Sequence, residues 1–129
     1  KREFGTSIIM ITHDLGVVGE TCARVVVMYA GRKVEEAAAA ELFAAPLHPY
    51  TQGLLAATPR LDTAPSARRA DRMRLQEIPG MVPTLTGERI GCSFAPRCSK
   101  ATPICRESEP QLEDHGNGHL AACFNCRSA

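Results

Sequence analysis

Four cysteines, Cys92, Cys98, Cys105 and Cys123, are separated by five, six and seventeen residues. Thiolates bind soft metals, so this is a candidate metal site. The gaps are wider than the two-to-four-residue knuckles that set up tetrahedral zinc, which makes zinc the second choice. A cuboidal iron-sulfur cluster takes one cysteine per iron and accepts irregular spacing, and it ranks first. Reduced structural thiols, two disulfides and a vacant site stay open as competing readings. No hydrophobic signal stretch leads the chain, which weighs against the disulfides. Cys126 follows Cys123 by three positions and can stand in as the last ligand. Cys22 lies apart, on the apolar face expected for the first helix, and reads as a small buried hydrophobe. His115 and His119, close to Cys123 in sequence, can ligate or support the ligands, but a solvated loop histidine is the commoner case. Arg97, beside Cys98, can donate to sulfurs or to backbone carbonyls.

His13 is the other residue with chemical promise. It follows the apolar run Ser7-Ile8-Ile9-Met10-Ile11-Thr12 and precedes Asp14, which can cap a helix. That places it at the carboxyl edge of a sheet, where open α/β folds hold ligands and where an imidazole can donate to a terminal phosphate. On position alone, a structural hydrogen-bonding role is the commoner one.

The elements that position these residues follow from pattern. Residues 7–12 predict an interior parallel strand, since they show no polar alternation. A helix from Asp14 to about Cys22 presents Leu15, Val18 and Cys22. Residues 24–29 and 32–35 predict a hairpin turned at Ala30-Gly31. Residues 37–45 predict a helix stopped by Pro46, and Pro49 opens another that reaches about Ala57. The order is β-α-β-β followed by short helices. A polar, basic linker is expected over 58–78, separating residues 1–57 from a breaker-rich, cysteine-rich segment over 79–129. With 129 residues and a net charge of +1, one globular unit is expected and no basic face for nucleic acid. No apolar run approaches the roughly 20 residues that span a bilayer. A strand pattern within the first ten residues and no Met before Lys1 suggest part of a longer protein.

The segment Ile9-Met10-Ile11-Thr12-His13-Asp14-Leu15 resembles the switch-histidine segment of ABC transporter ATPases. Val27-Met28-Tyr29-Ala30-Gly31-Arg32, with Glu35, is similar to the strand pair that follows it. Pro46-Leu47-His48-Pro49-Tyr50-Thr51, Ile78-Pro79-Gly80 and Gly91-Cys92-Ser93-Phe94-Ala95-Pro96-Arg97-Cys98 resemble the oligopeptide and dipeptide importers within that family. The resemblance implies the C-terminal part of an α/β P-loop nucleotide-binding domain, ending in a cysteine-rich extension. It implies a γ-phosphate-sensing role for His13 and a four-iron four-sulfur cluster on Cys92, Cys98, Cys105 and Cys123. It also implies ATP with magnesium in the full-length subunit, a permease and a second ATPase subunit as partners, and a place on the cytoplasmic face of the membrane. The sequence carries no phosphate loop, magnesium-handling Asp-Glu pair or Ser-Gly-Gly-Gln signature, so the chain alone is expected to hydrolyse no ATP. A standalone metal-binding interaction module is the alternative.

Overall fold

The computed structural model describes residues 6–58, 78–81 and 90–126. The linker expected over 58–78 lies outside these, apart from its two end residues. Helix α1 (Leu15–Thr21) begins where the Asp14 carboxylate accepts from the N–H groups of Gly16 and Val17, at 2.9 and 3.2 Å. This is the cap the sequence predicts. Val18 of its inner face is buried, whereas Cys22 is only half-buried.

Strands β1 (Arg24–Tyr29) and β2 (Arg32–Ala38) form the expected antiparallel hairpin. Its turn residues, Ala30 and Gly31, have φ of 50° and 79°, the left-handed pair that matches the twist of the strands. Met28 pairs with Lys33 but Val27 with Glu35, so Val34 is an extra residue in β2. This bulge breaks the two-residue alternation and buries Val34 and Glu35 together.

Two expectations need correction. Residues 7–12 form no strand, and Ile9 and Ile11 are 92% and 97% exposed. A strand of that kind needs partners for its backbone and cover for both faces, and no described strand runs beside it. The first strand of the expected β-α-β-β order is therefore absent among the described residues. Ala37 and Ala38 are also strand rather than helix, because they pair with Val25 and Arg24; the ladder outweighs alanine's helix propensity. Helix α2 (Ala39–Ala44) then ends before Pro46, and α3 (Pro49–Ala57) starts as expected.

The cysteine-rich segment has short elements, in keeping with its many prolines and glycines. They are a 3₁₀ turn (Ala95–Arg97), α4 (Ile104–Glu107), β3 (Glu113–Asp114) and β4 (Leu120–Ala121). It is joined to the hairpin. β4 pairs antiparallel with β2, giving one sheet in the order β1-β2-β4-β3. Phe94 enters the core of Val27, Tyr29, Val34, Ala37 and Leu42. Its ring lies edge-on to Tyr29 at 5.1 Å and tilted to Tyr50 at 5.4 Å, a favoured geometry for aromatic pairs. No helix among the described residues is long and apolar enough to cross a membrane.

Candidate functional site

The chain folds so that Cys92, Cys98, Cys105 and Cys123 line one small, largely enclosed cavity, walled by Phe94, Pro110 and Phe124. Each arrives on a short, braced piece of backbone. The N–H of Cys92 donates to the carbonyl of Cys105 at 2.8 Å, tying the first and third positions together. The 3₁₀ turn carries the chain from Cys92 to Cys98, whose N–H donates to the carbonyl of Ala95. Cys105 sits in α4, and its N–H donates to the carbonyl of Thr102 at 3.0 Å.

Burial pushes the thiols of Cys92 and Cys98 up, and that of Cys123 up to about 11. Each thiolate further disfavours its neighbours, as like charges do. Backbone N–H groups act the other way: Phe94 and Ala95 on Cys92, Lys100 on Cys98, Asn125 on Cys123. A group of thiols, one buried and three half-buried, with amide donors on the sulfurs suits a cationic guest, whose charge would reverse the burial penalty. Among the described residues, no three of His, Cys, Asp or Glu gather closely enough to hold one metal ion. Zn–S bonds of about 2.3 Å hold tetrahedral sulfurs about 3.8 Å apart.

Cys126 is placed elsewhere. It lines a second, open cavity with His115 and Glu113, and its Sγ lies 3.5 Å from His115 Nε2. Cys123 lines both cavities. Arg97 donates to the carbonyls of Ile78 and Pro79, both at 2.8 Å, and to the Tyr29 hydroxyl at 3.3 Å. Of its two readings, the carbonyl one is realised. His13 is exposed, on the bend before α1, and does not line the cysteine cavity.

The expectation of a solvated His119 is overturned, since it is 8% exposed and its Nε2 lies 2.7 Å from Glu35 Oε1. Glu35 is fully buried and also accepts from the N–H groups of Leu47 and His48, at 2.7 and 3.0 Å. One carboxylate thus joins β2, the start of α3 and the cysteine-rich segment. Sequence reasoning misses Glu35 because the Val34 bulge that turns it inward leaves no trace in composition. It misses Asn125 too, which contacts two of the sulfurs, because a polar residue between cysteines reads as loop.

His48 is buried and uses Nδ1 to accept from the Tyr50 N–H at 3.1 Å, capping α3. Burial lowers its pKa to about 4, against an opposing pull from Glu35. The unfolded chain, titrating near 6.5, binds this proton first as pH falls. The stability from neutral His48 is therefore complete above about pH 6.5 and is lost as pH drops toward 4. His48→Asn keeps a cap acceptor without titrating. Urea unfolding at several pH values is expected to show a shallower acid decline in this variant, by up to about 1.4 kcal/mol per pH unit. Parallel declines would contradict the assignment.

Residues 34–105 match the family described as oligopeptide/dipeptide transporter, C-terminal region. The chain is 52% identical over 124 residues to a probable peptide ABC transporter ATP-binding protein of Sinorhizobium fredii, covering 96% of this chain and 35% of that protein. It is 49% identical over 124 residues to the oligopeptide transport ATP-binding protein OppD of Salmonella typhimurium, with the same shares covered. The dipeptide transport ATP-binding protein DppF of Haemophilus influenzae is 46% identical over 123 residues, 95% of this chain and 36% of its own length. The chain spans about a third of the length of these curated relatives.

Proposed function

The chain belongs to the oligopeptide/dipeptide transporter C-terminal region family, and on that premise we propose that it forms part of an ATP-binding subunit that powers ABC-type import of peptides. The observation that carries this reading is identity of 46 to 52% along nearly the whole chain with ATP-binding proteins of peptide transporters. Within such a subunit, His13 senses the γ-phosphate and helps place the attacking water. Its exposure on the bend before α1 leaves the imidazole open to a nucleotide held by other parts of the subunit. ATP with magnesium is the energy source, and a permease and a second ATPase subunit are the partners. The working place is the cytoplasmic face of the membrane.

The cysteine-rich extension holds a four-iron four-sulfur cluster on Cys92, Cys98, Cys105 and Cys123, with zinc the second choice. Their shared cavity supports this set, as does the placement of Cys126 in a different one. Such a group would staple the loops that carry the four cysteines.

The test of the transport reading is His13→Ala in the full-length subunit. Turnover is expected to fall about a hundredfold or more, with ATP affinity changed less than about threefold, because the contact matters most to the transferring phosphoryl group. Steady-state hydrolysis and equilibrium nucleotide binding separate the two. Equal losses in both would make His13 a structural residue and remove its assigned role.

A further inference from the structure

We infer that Asn125 is the positioning residue of the cysteine cavity, its carboxamide holding Cys105 and its backbone N–H holding Cys123 as sulfur ligands. This inference rests on the metal-binding reading above and adds the group that sets the ligands' geometry and electron density.

The contacts come from two separate atoms. Asn125 Nδ2 lies 2.9 Å from the carbonyl oxygen of Lys100, 3.0 Å from Thr102 Oγ1 and 3.4 Å from Cys105 Sγ. A carbonyl oxygen can only accept, so the amino end of the carboxamide must face it. Its two hydrogens face three acceptors, so the donation to Cys105 Sγ is the longest of the three and is shared with one of the two oxygens. The backbone N–H of Asn125 donates to Cys123 Sγ, also at 3.4 Å. Thr102 Oγ1 completes the arrangement at 3.4 Å from Cys105 Sγ.

Asn125 thus bridges the loop from Lys100 to Cys105 and the loop after Cys123, and it lines the cavity itself. Two consequences follow for a bound group. The bridge fixes the separation of two ligand sulfurs that are eighteen positions apart in sequence. The N–H···S bonds draw charge from those sulfurs, which shifts a cluster toward its reduced form. Packing alone would produce the first effect but not the second.

The experiment loads the full chain anaerobically with ferrous iron and sulfide, as wild type and as Asn125→Ala, Asn125→Asp and Asn125→Gln. Iron and acid-labile sulfide content, the rate of iron loss to a chelator and the midpoint potential are measured for each. Asn125→Asp preserves side-chain shape while removing the donor but adds a charge, and Asn125→Ala removes the donor without one, so a shift shared by both belongs to the lost hydrogen bond. The Ala and Asp variants are expected to lose iron about 10- to 100-fold faster, the usual scale for removing a group that orients metal ligands. Their potentials are expected to move negative. Asn125→Gln, which keeps a donor, should recover part of both effects. Wild type that loads fully, with unchanged potentials in the Ala and Asp variants, would overturn the role of Asn125 and leave the cluster in place. Wild type that takes up neither iron nor sulfide would overturn the metal reading, and this inference with it.

Discussion

Glu35→Ala is expected to destabilise the full chain by about 3–5 kcal/mol in urea unfolding, because it strips the acceptor from several buried donors at a cost of about 1–3 kcal/mol each. The carboxylate is fully buried and satisfies three donors: Leu47 N–H, His48 N–H and His119 Nε2. Alanine would leave two backbone amides and a buried ring nitrogen without their acceptor. Against a typical domain stability of about 5–15 kcal/mol, that loss would leave little margin. Glu36 supplies the internal comparison. It pairs with Arg24 and Lys33 at 2.6 and 2.7 Å, and those two cations hold its carboxyl below the usual range. The side chains of both cations are more than 40% exposed, so Glu36→Ala is expected to cost no more than about 1 kcal/mol. Glu35→Gln, which keeps one acceptor oxygen and the side-chain volume, should fall between them. Equal costs at the two positions would show that the buried carboxylate does not tie the segments together.

The reason this joint is hidden in the sequence also explains what is legible there. Asp14 as a helix cap, Ala30-Gly31 as a two-residue turn and Pro49 as a helix start are local devices. Each depends on residues within one turn of chain, so residue type is sufficient. The strand expected over residues 7–12 does not form because strandedness belongs to a pair, and no described strand lies beside that run. Ala37 and Ala38 depart from the expected helix for the converse reason, since their partners Val25 and Arg24 on β1 supply a ladder that composition does not show. The Val34 bulge is subtler still. It shifts the register by one residue and reverses which face Glu35 presents, and nothing in Lys33-Val34-Glu35-Glu36 marks the extra position. At the candidate site, the family resemblance rather than spacing singles out Cys92, Cys98, Cys105 and Cys123 as a set. Their convergence depends on closure around Phe94 and on the β2–β4 pairing, both long-range. His119 reads as a loop residue for the same reason: its partner lies 84 positions away.

Gly91→Ala is expected to cost about 2–5 kcal/mol, because two independent penalties meet at one atom. Gly91 has φ of +82°, where an L side chain is strained. A Cβ there would also lie 2.6 Å from the Cys105 carbonyl oxygen and 2.8 Å from backbone atoms of Arg106. Neither neighbour is the flexible end of a side chain, so relief requires moving α4 itself. That movement would lengthen the hydrogen bond from the Cys92 N–H to the Cys105 carbonyl and separate two cavity cysteines. Gly31 isolates the conformational part, since it has φ of +79° but nothing within 4 Å of where an alanine methyl would sit. Gly31→Ala is therefore expected to cost only the strain, about 1–2 kcal/mol. Urea unfolding of the two variants side by side measures the difference, which belongs to the contact with Cys105. A Gly91→Ala cost no larger than that of Gly31→Ala would mean the α4 backbone yields freely, and the close approach of Gly91 to Cys105 would then contribute nothing to holding the cavity together.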